Sequence, residues 1–270
     1  MIQGLVSVIM PTYNTGAKLK LSIESVLRQT YHNIELLITD DNSDDTLTLH
    51  ILHSYAINDN RVKVFYHKHN DGAGAARNNS ISQARGQYIA FCDSDDRWAN
   101  DKLDKQLHFM QLNGHCLVFS SYFLCGKHGN VNGIVIAPPK VSFSMLKRDN
   151  KIGCLTAIYD TSIYGKFYFP NIRKRQDWGF FLNMLSVCHY AYSLQQPLAF
   201  YNKSHASLSS NKFSLVKYNI NIYRTILGFT LPKALLFFLF LFLPSYSLKL
   251  LKVNIDSFFF RRQCLLLLPH

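Results

Sequence analysis

The chain has 270 residues, of which 48% are hydrophobic and 14% aromatic, so its composition supports a sizeable core and excludes a largely disordered protein. Its formal net charge of +12 is unevenly distributed: residues 1–104 carry 10 basic and 13 acidic side chains, residues 105–200 carry 10 and 3, and residues 201–270 carry 9 and 1. An acidic front and a basic back argue against an evenly basic nucleic-acid binder, and we expect no nucleic-acid partner.

The six cysteines give no support to a zinc site, because none of them forms a Cys-x-x-Cys pair. They stand mostly in apolar stretches, as free thiols do in a reducing cytosol. No charged segment followed by an apolar stretch opens the chain, so the sequence predicts no secretory signal. We therefore expect a cytoplasmic location.

In chain order, apolar and β-branched runs alternate with segments of helical periodicity. Strands are predicted at residues 5–10, 34–39, 62–66, 88–92 and 117–123, and helices at residues 19–27, 47–52, 72–84, 98–113 and 177–186. Such alternation predicts an α/β fold, with a mostly parallel, Rossmann-like sheet that is flanked by helices.

Polar clusters follow three of the predicted strands, at residues 12–14, 40–45 and 93–96. Parallel strands end at the same edge of a sheet, and ligands of such sheets bind there. The sequence therefore predicts one site that all three clusters share.

The cluster Asp93-Ser94-Asp95-Asp96 crowds three carboxylates that repel one another unless a cation intervenes. Mn²⁺ or Mg²⁺ fits this chemistry, because both ions prefer oxygen ligands and are often shared with substrate phosphates. The alternative, of equal weight on these four residues alone, is a solvated turn whose aspartate caps the following helix.

Two further segments suit a nucleotide. A carboxylate of the acidic cluster at residues 40–45 can accept hydrogen bonds from a base or a ribose, and Ser43 or Asp44 could cap the next helix at the same time. The Gly/Ala run at residues 72–76 allows close approach of the backbone to a phosphate at a helix N-terminus, and Arg77 adds a cation.

These motifs together resemble the family 2 glycosyltransferases: VSVIMPTYN at residues 6–14, DDNS at 40–43, GAARN at 74–78 and FCDSDD at 91–96. The resemblance implies a GT-A fold and an inverting transfer from a nucleotide-sugar donor, of the type that builds bacterial surface polysaccharides such as lipopolysaccharide O-antigen, capsule or exopolysaccharide. Asn42 stands where the family usually has glycine, and asparagine also tolerates a left-handed turn.

The resemblance also implies roles for individual residues. The acidic signature would contact the ribose and a Mn²⁺ or Mg²⁺ ion on the diphosphate, with Asp95 and Asp96 as the candidate metal ligands; which aspartate touches the ion stays open. The implied nucleotide-binding residues are Pro11, Thr12, Tyr13, Asn14, Asp41, Arg77, Asp93 and Asp95.

An inverting transfer needs a base for the acceptor hydroxyl. In the RKRQDW segment at residues 173–178, the family would have an acidic pair before the tryptophan, and Gln176 replaces the first acid here. Asp177 is therefore the predicted catalytic base, unless it only caps the helix that follows. His205, 28 positions further on, is a candidate metal or diphosphate ligand, with a solvated loop histidine as the alternative.

The C-terminal region mixes apolar clusters with Lys and Arg. Residues 234–243 are ten consecutive apolar residues, fewer than the roughly 20 that a spanning helix needs. We expect a helix that lies on an anionic membrane surface, peripheral on the cytoplasmic face of the inner membrane. The alternatives are a core helix on the catalytic domain and a true membrane span.

The sequence thus predicts a GT-A catalytic domain at residues 1–215, with a nucleotide-binding half to about 115 and an acceptor-binding half beyond it, and a basic, apolar membrane-association region at residues 216–270. The expected partners are a nucleotide-sugar donor, with UDP favoured, and a glycan or lipid-linked acceptor. A sugar nucleotidyltransferase of related fold and a non-enzymatic basic membrane-binding module are the alternatives. The sugar, the acceptor, the linkage and the oligomeric state stay open.

Overall fold

A computed structural model describes residues 1–126, 129–202 and 212–266, with backbone alone for 212–215 and for 265–266. Its strands are β1 (Ile2–Thr12), β2 (Ile34–Asp40), β3 (Val62–Tyr66), β4 (Gly86–Phe91), β5 (Arg97–Trp98), β6 (Leu117–Cys125), β7 (Val131–Val135), β8 (Lys140–Ser142), β9 (Ile158–Asp160) and β10 (Tyr190–Asn202).

The helices are α1 (Ala17–Leu27), α2 (Thr46–Asn58), α3 (Ala73–Gln83), α4 (Lys102–Asn113), α5 (Phe143–Arg148), α6 (Thr161–Tyr164), α7 (Gln176–Cys188), α8 (Lys212–Thr225), α9 (Leu231–Phe237) and α10 (Leu243–Leu266). A short 3₁₀ turn covers Cys154–Thr156, and a π-helical turn at Phe238–Phe242 joins α9 to α10.

The described strands form one sheet in the order β3-β2-β1-β4-β9-β6-β10-β5, with β7 beside β6 and β8 beside β10. The predicted fold class, an α/β sheet flanked by helices, is confirmed. The expected parallel arrangement holds for β3-β2-β1-β4 and for the β6–β10 pair, whereas β9, β7, β8 and β5 pair antiparallel. Helical crossovers join β1, β2, β3 and β4, and they are long enough for parallel pairing. The short strands β5, β7, β8 and β9 do not belong to such strand–helix–strand units and pair antiparallel.

Strand order reverses between β1 and β4, because the chain winds from β1 through β2 to β3 and then returns to the other side of β1. In open α/β sheets, the crevice at such a switch point is where ligands bind. The loops that follow β1 and β4 are therefore placed side by side at this crevice.

The pleat of the sheet divides the core in two. Val6, Val8 and Met10 of β1 belong to one cluster, and Ile9 belongs to the opposite cluster, which also contains Trp178 of α7. This alternation follows from the two-residue period of a strand. Both faces of β1 are covered, which explains its nearly continuous apolar sequence.

One predicted helix boundary is wrong. A helix was expected over residues 98–113, but Arg97 and Trp98 form β5 against β10, and α4 begins only at Lys102. The Trp98 side chain is buried and its Nε1 donates to the Leu155 carbonyl at 2.8 Å. Burial of the indole fixes this segment in an extended form, which local propensity does not show.

The C-terminal region is more regular than its sequence indicates. Leu231–Cys264 form one helical run of 34 residues, long and apolar enough to cross a membrane by length and composition alone. Pro244, the second residue of α10, has no N–H for the bond to the preceding turn, which accounts for the π-helical turn directly before it. The run also packs on the sheet, since Ser257 Oγ bonds both the N–H and the carbonyl of Ile134 in β7.

Candidate active site

Hydroxyl contacts tie together the loops after β1 and β4. Thr12 Oγ1 lies 3.0 Å from Thr15 Oγ1, which lies 2.8 Å from Ser94 Oγ. Ser22 of α1 donates to the Ser94 carbonyl at 2.8 Å. The acidic turn, residues 93–96, is therefore held against the end of β1, as strand order predicts.

Asn14 joins the first loop to the loop that follows β2. Its side-chain oxygen accepts from the N–H groups of Asp44 and Asp45 at 3.0 Å each, and its amide donates to Asp44 Oδ1 at 2.6 Å. Asn14 has a positive φ of 47°, a backbone geometry that asparagine adopts at low cost. Asn14 thus shapes the rim of the crevice, and the neighbouring Tyr13 is half exposed there.

Asp41 is buried at the end of β2 and is strongly hydrogen-bonded. Its carboxylate accepts from Gly72 N at 2.7 Å and from Asp71 N at 3.0 Å, and His67 Nδ1 lies 2.9 Å away. These bonds hold the turn that leads into α3. Asn42, which stands where the family usually has glycine, has a φ of 66° and so adopts the left-handed conformation that asparagine tolerates.

The capping role in this cluster falls to another residue than expected. Asp45, rather than Ser43 or Asp44, is the N-cap of α2 and accepts from Thr48 N at 2.9 Å. Ser43 instead donates through its hydroxyl and its N–H to Asp40. Asp45 is therefore structural, and Asp41 remains as the carboxylate beside the crevice.

The acidic cluster after β4 lies at the centre of the site. Asp93 Oδ1 pairs with the buried Arg77 at 2.5 Å. Asp96 is fully buried, and its Oδ1 accepts from Asn202 N at 2.8 Å, while the Asn202 amide donates to the Asp95 carbonyl. Burial, followed by repulsion from neighbouring aspartates, raises the pKa of both Asp95 and Asp96.

The alternative of a capping turn is wrong for these aspartates, because the next helix begins only at Lys102 and its N-cap position is Asp101. Crowded carboxylates with raised pKa values are stabilised by a nearby cation. Oxygen ligands of this kind suit Mg²⁺ or Mn²⁺, so the residues present fit such an ion.

The protein does not supply a complete metal cage in the part described. Within residues 1–126, 129–202 and 212–266, no three His, Cys, Asp or Glu side chains come together as a metal-binding group. An ion at Asp95 and Asp96 would therefore take its remaining ligands from a substrate or from water. The candidate ligand His205 lies outside the described residues.

Helix α7 brings Asp177 to the same place. A cavity of about 420 Å³ is lined by Asp93, Asp96, Arg77 and Asp177 among others. Asp177 Oδ2 accepts from Asn150 Nδ2 at 2.7 Å, which fixes the orientation of the carboxylate.

Asp177 is not the N-cap of its helix. Arg175 occupies the N-cap position with φ 64°, and Asp177 lies in the first turn. Trp178 Nε1 donates to the Leu146 carbonyl at 2.7 Å in the core, which anchors the start of α7. The side chain of Asp177 is thus presented to the cavity by a firmly packed helix end.

The predicted site residues separate into two groups. Arg77, Asp93, Asp96 and Asp177 line the cavity, whereas Asp95 and the strand-end residues Pro11, Thr12, Tyr13, Asn14 and Asp41 are not among its lining residues. The second group lies on the neighbouring loops, where the contacts of Thr12 and Asn14 connect it to the acidic turn. No structural observation assigns these residues to a nucleotide, so their roles stay predictions.

Sequence reasoning missed several residues of the cavity. Asn150, Tyr122 and Tyr201 carry no motif that marks them, and Lys151 stands in an unremarkable polar stretch. Lys249 was counted only as a charge of the C-terminal region. These residues are brought to the cavity by long-range packing, for which a single sequence offers no signal.

Gly74 of the Gly/Ala run has a packing role that the sequence did not predict. A side chain at Gly74 would lie 2.8 Å from the Gln176 side chain, so the absence of one lets α3 approach the start of α7. Gly74 therefore makes room for a contact between the two halves of the site. The packing explains the small residue without a bound phosphate.

The sheet order, the switch-point crevice and the paired carboxylates define an α/β protein with the GT-A fold. The model of the family "Glycosyl transferase family 2" matches residues 7–173. The chain belongs to this family, as the motifs predicted, and membership decides against both the nucleotidyltransferase and the non-enzymatic module.

Two bacterial relatives are similar over most of their length. The putative teichuronic acid biosynthesis glycosyltransferase TuaG of Bacillus subtilis is 39% identical over 82% of this chain and 88% of its own. The UDP-Glc:alpha-D-GlcNAc-diphosphoundecaprenol beta-1,3-glucosyltransferase WfgD of Escherichia coli is 36% identical over 79% of this chain and 83% of its own. These relatives place the chain among glycosyltransferases of bacterial surface-polysaccharide synthesis.

A solved structure supports the fold. The mannosyltransferase PcManGT from Pyrobaculum calidifontis, in complex with GDP-Man and Mn²⁺, superposes with a TM-score of 0.63 and covers 93% of this chain and 75% of its own, at 15% identity. At this identity the likeness concerns the fold alone. Another protein of this fold therefore holds a nucleotide sugar together with a divalent ion.

Proposed function

We propose that this protein transfers a sugar from a UDP-sugar, with inversion, to a hydroxyl of a glycan or lipid-linked acceptor during synthesis of a bacterial surface polysaccharide. The observation that carries the proposal is the cavity that joins Asp93 and Asp96 to Asp177. The name of WfgD, which gives a UDP-Glc donor and a diphosphoundecaprenol acceptor, supports the same classes of substrate here.

The donor would lie at the switch-point crevice. Asp41 and the loop of Pro11, Thr12, Tyr13 and Asn14 would contact the base and the ribose. Arg77, already paired with Asp93, brings a buried cation to the diphosphate end of the crevice.

A Mn²⁺ or Mg²⁺ ion would be held by Asp95 and Asp96, with His205 as a further candidate ligand, and would neutralise charge on the leaving diphosphate. The Asp96 carboxylate is held in place by the Asn202 N–H, which supports this assignment. Burial, followed by repulsion from Asp95 and Asp93, raises the pKa of Asp96, and a bound cation would favour the ionised form of this carboxylate.

Asp177 would act as the general base. Its Oδ2 is engaged by Asn150, so we assign Oδ1 to the acceptor hydroxyl. The hydroxyl would attack the donor carbon from the face opposite the leaving diphosphate, and Asp177 would take the proton as the new bond forms. Attack from that face inverts the configuration at the sugar carbon.

The C-terminal region would hold the enzyme peripherally on the cytoplasmic face of the inner membrane. Leu236, Leu239 and Phe240 are more than half exposed on the helical run, and further exposed apolar residues follow along α10. A contiguous exposed apolar surface beside Lys and Arg residues suits an anionic bilayer. In this proposal residues 1–215 form the catalytic domain and residues 216–270 the membrane-association region.

The proposal is tested by incubating purified protein and Mn²⁺ with a panel of nucleotide sugars and a glycan or lipid-linked acceptor, with nucleotide release as the readout. We expect release from a UDP-sugar, and a fall in turnover of roughly 10²–10⁴ for Asp177→Asn, the usual contribution of a general base. Donor binding by that variant should be nearly unchanged, because Asp177 would contact the acceptor.

Asp101→Asn is the matched control, since the Asp101 side chain is half exposed and its one ion pair among the described residues is with Lys105. Its turnover should equal that of the wild type. Normal turnover in Asp177→Asn would remove Asp177 from the mechanism, and absence of release with every donor of the panel would contradict the proposed activity.

A further inference from the structure

The cavity beside Asp177 carries more positive charge than the donor motifs use. Its described lining includes three aspartates and six cationic side chains, namely Arg77, Lys151, Arg173, Lys174, Arg175 and Lys249. Arg77 is committed to Asp93, and Lys151 and Lys249 share the buried Asp149, so cations still outnumber carboxylates around the cavity. A donor diphosphate whose charge is offset by a divalent ion requires few further cations, so this surplus points to a second anion.

Two of the lysines are connected to the proposed base. Lys151 Nζ and Lys249 Nζ lie 3.7 Å and 3.5 Å from Oδ2 of the buried Asp149. Lys249 also donates to the carbonyl of Asn150, whose amide holds Asp177. Any anion that these lysines bind lies near the base, which is the acceptor side of the reaction.

Two arginines extend the same cationic surface. Arg173 and Arg175 form no ion pair with any residue that the structure describes, although both line the cavity. The Arg175 Nε is buried and has no hydrogen-bond partner within the described residues. We call Lys151, Arg173, Arg175 and Lys249 the acceptor rim.

The surface next to the acceptor rim is apolar. Leu248, Leu250 and Leu251 flank Lys249 on α10, and all three are exposed, with Leu248 at 67%. A cationic cluster that borders an exposed apolar helix suits a ligand with an anionic head and a hydrocarbon chain.

We propose that the acceptor rim binds the diphosphate of an acceptor sugar that is carried on a polyprenyl diphosphate, with the hydrocarbon chain along the exposed residues of α10. The inference rests on the proposed function, because Asp177 must face the acceptor. The inference goes beyond that function by naming the acceptor diphosphate as the group that the protein recognises. It also makes the C-terminal helix part of the acceptor site as well as a membrane anchor.

The test is a calorimetric titration of farnesyl diphosphate into the full chain saturated with UDP and Mn²⁺, so that the donor site is filled. We expect farnesyl diphosphate to bind alongside UDP, about ten-fold more weakly in Lys249→Met and about three-fold more weakly in Arg173→Gln, because charge-assisted contacts to phosphate are lost. Farnesol, which has no diphosphate, should bind far more weakly than farnesyl diphosphate.

Lys252→Met is the matched control, because Lys252 lies on the same helix, is exposed and is outside the described cavity lining. Its affinity for farnesyl diphosphate should equal that of the wild type. Thermal unfolding verifies that each variant is folded. Arg173→Gln removes an exposed side chain without an ion pair in the described structure, so it keeps the test valid if Lys249→Met destabilises the protein.

Displacement of UDP by farnesyl diphosphate, equal affinity in the wild type and both rim variants, or equal affinity for farnesol would overturn the inference. UDP binding reports separately on the donor site. If UDP fails to bind, the proposed function fails, and farnesyl diphosphate titrated alone against the same variants still decides whether the acceptor rim binds a lipid diphosphate.

Discussion

At the scale of single residues, the acidic turn shows how much the sequence establishes. Three crowded carboxylates after a strand predict a cation-binding site, and the structure places Asp93 and Asp96 in a cavity with Asp177. Asn150 was not predicted, because its contact with Asp177 joins residues that are 27 positions apart and neither carries a distinctive pattern.

A buried lysine in the neighbouring core gives a residue-scale prediction about stability. Lys102 is fully buried, its Nζ lies 3.9 Å from the centre of the Trp98 ring, and within the described residues that nitrogen has no hydrogen-bond partner. Burial lowers the pKa of Lys102 to about 7. Between pH 7 and the ordinary lysine value the unfolded chain holds a proton that the folded protein lacks, so stability rises with pH in this range.

We therefore expect Lys102→Met to raise the free energy of unfolding at pH 7 by on the order of 3 kcal/mol, less any attraction between the ammonium and Trp98. The advantage should shrink between pH 7 and pH 9, as measured by urea denaturation. Lys105→Met, an exposed lysine of the same helix, is the control and should show no such trend. If the free energy of unfolding at pH 7 were higher for the wild type than for Lys102→Met, the claim that burial lowers the pKa of Lys102 would be contradicted.

At the scale of elements, local sequence patterns predicted the first four strands well and the later elements poorly. β3 occupies the residues expected, and β1, β2 and β4 differ from prediction only at their ends. β5, by contrast, is two residues held by pairing with β10, about 100 positions away, and a window of local sequence contains no sign of it. The C-terminal region was expected as a helix with only ten consecutive apolar residues at 234–243, whereas the helical run from Leu231 is 34 residues long and continues past Pro244 through a π-helical turn.

The helical run has one apolar side against the protein and another exposed. Ala234, Phe238 and Phe242 are buried, whereas Leu236 and Phe240, four positions apart, are exposed. We expect Leu236→Ser with Phe240→Ser to weaken co-sedimentation with phosphatidylglycerol vesicles, because the exposed side loses two large apolar groups while Phe258 and Phe259 remain exposed further along α10.

The control is Leu112→Ser, which removes an equally exposed leucine from α4, away from the helical run. It should leave vesicle binding unchanged. Undiminished vesicle binding by the folded double variant would show that this surface is not the membrane contact.

At the scale of the whole molecule, the two halves of the chain build one site between them. The front half supplies Arg77 and the acidic turn, the middle supplies Asn150 and Asp177, and the C-terminal helix supplies Lys249. The charge distribution along the sequence indicated separate tasks for the acidic N-terminal region and for the basic remainder of the chain. It did not indicate that both charges meet at one cavity, because this depends on long-range packing.

The central claim is that the clustered aspartates hold a nucleotide diphosphate through a divalent cation, and calorimetric titration of UDP in Mn²⁺ and then in EDTA tests it most directly. We predict measurable binding with Mn²⁺, a loss of at least about ten-fold in affinity with EDTA, and no effect of EDTA on the residual binding by Asp96→Asn, while Asp101→Asn behaves as the wild type. Equal affinity of the folded wild type in Mn²⁺ and EDTA, or no heat in either, would contradict the account.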